Sequence, residues 1–309
     1  MPLHVAPLSR RQFLARASVA AAGLTVLPSS WGASPAADPN VFALLSDTHV
    51  PSSPDITSGN GTIKTNMTDN MRQAVREVIT HPTRPAAVFI NGDCAYLKGL
   101  ADDYKNLAQC VAPLSEAGLP LHLTMGNHDH RGRLFEKLAA QKPERPLLEV
   151  KHVTVVESPH ANWFLLDSLT ETDVVTGEIG AEQRTWLDKA LKARSDKPAI
   201  VMSHHTPQFE PPPEGKVWGG IKDTAEFMEL LASHRNVKAF IYGHSHVWEN
   251  KRQGALHLIN LPPVAYVFKE GLPNGWVEAR IRENGLNLNL RSINPAHPLH
   301  NQNVALDWS

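Results

Sequence analysis

The chain has 309 residues, with 30 lysines and arginines against 31 acids and a formal net charge of −1. That balance leaves no basic excess for a nucleic-acid surface. Two cysteines, Cys94 and Cys110, are too few for a disulfide scaffold. No linker or composition shift divides the chain, which points to one large domain.

In chain order, the first feature is Ser9-Arg10-Arg11-Gln12-Phe13-Leu14, paired arginines ahead of a mild apolar run over 13–27. The run is too short and too weakly hydrophobic for a stable membrane span. A basic start, an apolar stretch and then the small residues of "WGASPAADP" follow the order of an export signal. A surface helix with a basic start is the plainer alternative. The arginine pair resembles the twin-arginine signal. That resemblance implies recognition by the twin-arginine export machinery, passage in the folded state, and a periplasmic or secreted location. A signal over 1–37 would take away Arg10, Arg11 and Arg16 and no acid, moving the formal charge from −1 to −4. Residues 38–309 are then expected to form a single domain.

Beyond the signal, short apolar runs over 41–46, 86–91, 121–125, 163–167, 199–203 and 237–242 read as buried strands. Amphipathic helices are expected between them at 66–80, 181–194 and 223–234. Asp223 and Glu226 give the last of these a capping-box pattern. Four further strands, at 256–261, 264–268, 276–281 and 286–290, follow without helices. The order predicts an α/β fold, with sheets layered between helices. Two long polar loops, 50–65 and 209–222, lack periodicity, and loops of that length in a compact domain tend to carry function.

Ligand-type residues fall where the strands end. Asp47 and His49 close one strand, Asp93 the next, and Asn127, His128 and Asp129 a third. His204 and His205 close a fourth strand, and His244 and His246 a fifth. Any one cluster reads equally well as a cap or a turn. Five of one chemistry are another matter, because Ser, Thr or Asn would cap as well as histidine. Neutral imidazole is the commonest metal ligand, so the clusters predict a shared metal site at one edge of the sheets.

In order, the clusters read Asp47-Thr48-His49, Gly92-Asp93, Gly126-Asn127-His128-Asp129, His204 and Gly243-His244-Ser245-His246. This set resembles the signature of the calcineurin-like metallophosphoesterases over 41–247. The resemblance implies a layered sandwich of two mainly mixed β-sheets flanked by helices. It implies two divalent or trivalent transition-metal ions, drawn from Mn, Fe, Zn, Co or Ni. Asp47, His49 and His246 would hold one ion, Asn127, His204 and His244 the other, with Asp93 bridging. His205 would stand behind the ligands or beside substrate. A hydroxide bridging the metals would attack a small phosphate ester in line, with His128 acting at the leaving oxygen and Asp129 orienting it. Gly92, Gly126 and Gly243 each precede a ligand, where relaxed φ/ψ and close backbone approach are expected.

Two residues complicate that reading. Purple acid phosphatases pair Asp-x-Gly with Gly-Asp-x-x-Tyr and bind ferric iron through the tyrosine. Here Gly92-Asp93-Cys94-Ala95-Tyr96 matches the second motif, but His49 replaces the glycine of the first. A phenol must lose a proton with pKa near 10 to ligate, whereas imidazole binds neutral. Tyr96 is therefore expected to pack near the site rather than ligate. Cys94 is expected to be a small buried residue, since the other ligands are oxygen and nitrogen. Asp-x-His brings the chain nearer to class III cyclic-nucleotide phosphodiesterases and glycerophosphodiesterases. The alternatives are a monoesterase of the purple acid type and a non-catalytic secreted binding protein.

Overall fold

β1 (Asp38–Ser46) is buried on both faces towards its end, and its side chains alternate between two cores. Phe42 and Leu44 enter one core, and Ala43 and Leu45 the other, as the two-residue period of a strand requires. A strand covered on both sides belongs inside a sheet with a layer on each face.

The computed structural model describes residues 36–58, 64–143 and 146–308. The paired arginines and the rest of the expected export signal lie outside them. After β1 come β2 (Thr57–Ser58), β3 (Thr65–Asn66), α1 (Met67–Thr80), β4 (Pro85–Asn91), α2 (Ala101–Glu116), β5 (Leu121–Thr124) and α3 (Arg131–Lys137). β6 (Thr154–Glu157), β7 (Asn162–Leu165), α4 (Ala181–Lys192), β8 (Ala199–Met202), α5 (Thr224–Ser233) and β9 (Val237–Tyr242) continue the alternation. β10 (Glu249–Gln253), β11 (Leu256–Asn260), β12 (Gly275–Arg282), β13 (Gly285–Ser292) and β14 (Asn303–Asp307) complete the order.

One six-stranded sheet runs β14-β13-β12-β1-β4-β5, the other β10-β11-β9-β8-β7-β6. β1, β4 and β5 are parallel, as are β7, β8, β9 and β11, while the remaining pairings in these two sheets are antiparallel. Phe42, Phe89 and Trp163 fill the space between the sheets, with ring centroids 5.0–5.3 Å apart. α1 and α2 cover one outer face through Met71, Val75, Leu107 and Val111. α4 and α5 cover the other through Leu187, Leu191, Phe227 and Leu231. This is the expected sandwich of two mixed sheets flanked by helices. From Ala37 onward the described residues form one compact unit. Among them, no helix is long and apolar enough to cross a membrane.

Three local expectations need correction. Residues 264–268 do not form a strand. Their backbone crosses the end of β1 instead, with Val264 N–H donating to Ser46 O (2.8 Å) and Ala265 N–H to Asp47 O (3.1 Å). Asn70 and Asn274 side chains donate to the carbonyls of Val264 and Ala265, so this buried run is satisfied without a ladder. α2 was not expected, because Pro113 interrupts its pattern and Leu100 stands at its start. Asp103 replaces a polar cap there by accepting from Leu100 N–H at 2.7 Å. Asp223 does begin α5 but makes no side-chain cap bond. Its carboxylate accepts from Ile179 N–H (2.9 Å) and Gly180 N–H (2.8 Å) and pairs with Arg184, tying α4 to α5.

Candidate metal centre

The parallel strands of both sheets end at one edge, and side chains lock the two sheets together there. Asn91 Nδ2 donates to Ser203 O (3.0 Å), His204 Nδ1–H to Asn91 O (2.8 Å), and His244 N–H to Asp47 Oδ1 (3.1 Å). Just past these ends stand Asp47 and His49, Asp93, Asn127, His204, and His244 and His246. Five of the seven have left-handed backbones: Asp47 (φ 50°), His49 (41°), Asp93 (46°), His244 (69°) and His246 (55°). Non-glycine residues pay strain in that region, and such strain gathers at functional sites. The turns aim successive side chains back at a common centre.

The glycines divide the work differently from expectation. Gly92 has positive φ (71°), whereas Gly126 and Gly243 do not. At those two the requirement is space: a Cβ on Gly126 would overlap Asp93, and one on Gly243 would overlap Ser46 and Asp47.

Ligand atoms of Asp47, His49 and His246 lie within 4.8 Å of one another, and so do those of Asp93, His204 and His244. A third such group joins His49, Asp93 and His128. Asp93 Oδ2 lies 3.6 Å from His49 Nε2 and 3.3 Å from His204 Nε2, which puts one carboxylate between the two halves. Its Oδ1 is held by His128 N–H at 2.9 Å. Asp47 is steadied by the Ser46 hydroxyl at 2.5 Å and faces His246 Nε2 at 3.4 Å.

Backbone carbonyls fix the imidazoles. His204 donates Nδ1–H to Asn91, His246 Nδ1–H to Tyr266 (2.6 Å), and His244 Nε2–H to Gly219 (2.7 Å). A carbonyl only accepts, so each bond sets the tautomer and leaves the other ring nitrogen with its lone pair. His49 Nε2 and His246 Nε2 approach to 3.0 Å, a separation at which two lone pairs repel unless they share a cation or proton. Asn127 Oδ1 and His204 Nε2 are buried and make no hydrogen bond. These oxygen and nitrogen atoms fit a pair of cations.

The electrostatics favour positive charge at the centre. Burial pulls His204 down, but Asp93 and Asp47 outweigh it and lift the imidazole to about 10. Burial pushes Asp93 up, yet His204 and His49 bring it well below the usual carboxylate range. Burial and His204 together lower His244 to about 4. A bound cation serves the same carboxylates that otherwise hold a proton on His204.

Six of the seven expected ligands thus fall into these groups, Asn127 adds a buried oxygen that makes no hydrogen bond, and one neighbouring expectation changes. Asp129 does not orient His128. Its buried carboxylate accepts from the backbone N–H groups of Cys94, Ala95 and Gly126 and from the Tyr104 hydroxyl, at 2.9–3.2 Å. Burial and Asp93 raise it to about 6. Asp129 therefore pins the Asp93 loop, and His128 takes its orientation from Leu97 O, to which Nδ1–H donates. His205 stands behind the ligands, one of its two expected places, and is fully buried. Its ring lies 4.8 Å from that of His244, and its Nδ1 is 2.7 Å from Ser168 Oγ. Tyr96 donates its hydroxyl to Ser58 Oγ at 3.4 Å. Cys94 is free and buried, and burial followed by Asp129 and Asp93 pushes its thiol well up, so it stays protonated.

Sequence reading missed the carbonyls of Asn91, Leu97, Gly219 and Tyr266, because residue type carries no signal for a backbone acceptor. It also missed the aromatic wall of Tyr266 and Phe268 beside His246, with ring centroids 4.9 and 4.1 Å away.

A family model for calcineurin-like phosphoesterases matches residues 41–248, and the chain belongs to that family. It is a metal-dependent phosphoric ester hydrolase with a dimetal centre. A probable cyclic nucleotide phosphodiesterase of Synechococcus sp. is 29% identical over 226 residues, spanning 69% of this chain and 82% of that protein. The 3',5'-cyclic adenosine monophosphate phosphodiesterase of Pseudomonas aeruginosa is 25% identical over 241 residues, spanning 77% and 81%. Among solved structures, a dimetal phosphatase from Danio rerio aligns with TM-score 0.67 at 18% identity, over 88% of this chain and 100% of that one. A purple acid phosphatase from yellow lupin seeds aligns with TM-score 0.59 at 14% identity, over 87% and 54%. At these identities the two structures share the fold.

Proposed function

We propose that the protein is an exported phosphodiesterase acting on a small phosphate diester, with cyclic nucleotides as the leading substrate class. The observation that carries this reading is the position of Asp93 between two histidine groups, with His49 in place and Tyr96 turned to Ser58. The names of the curated relatives, both cyclic-nucleotide phosphodiesterases, support the substrate class.

In this reading Asp47, His49 and His246 would hold one cation and Asn127, His204 and His244 the other, with Asp93 available to both. Carboxylate, amide and imidazole without thiolate suit Mn, Fe, Co, Ni or Zn. Such a pair supplies Lewis acidity to the phosphoryl oxygens and lowers the pKa of water to near neutrality. The chain's own residues do the rest. Leu97 holds the Nδ1 proton of His128, so Nε2 is the nitrogen that takes up a proton from solvent and, from the imidazolium, passes it to the departing oxygen. Asp93 takes its bearing from the backbone of that same histidine. Asp129 keeps the turn after β4 in register with the turn after β5 through its backbone bonds.

The test is metal analysis of the purified protein together with turnover of a chromogenic phosphodiester and its monoester counterpart. Two metal ions per chain and a faster diester are expected, with activity lost on chelation. Preference for the monoester would overturn the diesterase reading. For export, Arg10→Lys combined with Arg11→Lys should block periplasmic accumulation while activity persists in the cell extract. Normal accumulation of the double variant would remove the twin-arginine assignment.

A further inference from the structure

We propose that Phe268 is the platform against which the aromatic base of a nucleotide substrate packs, an assignment that rests on the cyclic-nucleotide reading above. Its ring stacks on His246 at a centroid distance of 4.1 Å and an interplanar angle of 19°. His246 is itself one of the residues grouped around the dimetal centre. Phe268 is thus one ring away from the phosphoryl site, and 51% of its surface is accessible. Exposed apolar residues are ordinary on a protein surface. An exposed ring stacked on a residue of the catalytic cluster is a narrower finding, and it matches the shape of a nucleotide, whose flat base stands one sugar from its phosphate.

The segment that carries the ring is fixed before substrate arrives. Val264 and Ala265 are bonded to the end of β1 through their N–H groups, and their carbonyls are held by Asn70 and Asn274. Tyr266 adds the carbonyl that orients His246, and its own ring packs 5.2 Å from His49 and 5.8 Å from Phe268. One short stretch therefore positions a metal-site histidine and presents an aromatic surface beside it. Preorganisation of this kind lets a stacking contact add affinity without the cost of ordering a loop. The contact reads the π-face of a base, so it selects for the presence of a base over its identity.

Binding of adenosine 5'-monophosphate and of ribose 5-phosphate to the metal-loaded protein separates this role from mere support of His246. Both ligands carry the same phosphate and sugar, and only one has a base. The wild-type protein should bind the nucleotide roughly tenfold more tightly, within the range of base–aromatic stacking. Phe268→Ala and Phe268→Leu should bring the ratio of the two affinities close to one, and Phe268→Trp should restore it. Metal content measured on each variant reports on His246. A ratio close to one in the wild-type protein would overturn the platform, as would a ratio that survives Phe268→Ala. Loss of a metal ion in Phe268→Ala with an unchanged ratio would make the ring a support for His246 alone. These outcomes are read from binding, so they stand apart from a failure of diester turnover, which would count against the phosphodiesterase reading instead.

Discussion

His244 and His246 stand two residues apart on one turn, yet different structures aim them. His246 gives its Nδ1 proton to Tyr266, in a segment tied to the end of β1 and to two asparagines. His244 gives its Nε2 proton to Gly219, in the long polar loop over 209–222. That carbonyl is placed by Gln208, whose side-chain oxygen accepts from the N–H groups of Gly219 (2.9 Å) and Gly220 (3.0 Å). His246 thus leans on the core of the fold, as His204 does through Asn91, whereas His244 leans on a surface loop. Loops are the less stable part of a structure, so the two cation sites should differ in how easily they lose metal even though their chemistry is alike.

The largest effect should come from the residue that belongs to both halves. Asp93→Ala removes the carboxylate lying between His49 and His204. We expect activity to vanish and both metals to be depleted, because one side chain serves two cations. Metal analysis checks this. Retention of near-normal metal in the variant would mean that the halves are independent, and the shared-carboxylate account would fail.

His128 comes next. It lies against His49 at a centroid distance of 5.4 Å, with Nδ1 engaged by Leu97. His128→Ala should lower kcat by roughly 10²–10⁴, the usual span for a lost general acid, while both metals remain bound. The loss should shrink for substrates with good leaving groups, which need little protonation. An equal loss across leaving groups, measured by steady-state kinetics, would assign His128 to phosphate positioning instead.

How far these features could be read from sequence follows from what each depends on. The ligands were legible because their side chains are chosen for their chemistry and placed after apolar strands. The apolar run of β1 and the stripes of α1, α4 and α5 were legible for the same reason, since such patterns are a side-chain property. What was hidden is carried by backbone. Residues 264–268 have the composition of a strand, but their partners are the end of β1 and two asparagines. Asp129 sits in a motif with His128, yet three hydrogen-bond donors from elsewhere in the chain, with Gly126 N–H of the motif itself, claim its carboxylate. Residue types do not announce which neighbour wins such a competition.

The contrast between the two halves is sharpened by Gln208→Ala. This change touches no metal-site residue; it frees the backbone that presents Gly219 to His244, together with the carbonyl of Glu210. Partners that orient a ligand from behind typically contribute 10–100-fold to metal affinity. We therefore expect one of the two metals to bind roughly tenfold more weakly, with the other little changed, in a titration against a competing chelator. Equal weakening of both would show that the loop and the core segment support the centre alike.

Tyr96→Phe should have the smallest effect of all. The Tyr96 hydroxyl donates to Ser58, whereas His49 Nε2 lies 3.0 Å from His246 and 3.6 Å from Asp93, in a ligand group with Asp47. A phenol would have to give up a proton with pKa near 10 to ligate, whereas imidazole binds neutral. The variant should keep most of its activity, and the wild-type protein should lack a visible charge-transfer band whichever cations it carries. His49→Ala should strip or weaken one metal, because the Asp47 group loses one of its two imidazole nitrogens. The converse pattern would be a purple protein bleached by Tyr96→Phe and indifferent to His49→Ala. Absorption spectra and metal analysis of the two variants distinguish these outcomes. The converse result would move the Asp47 half of the centre from imidazole to tyrosinate and, with it, the enzyme from diesters to the purple phosphatase type.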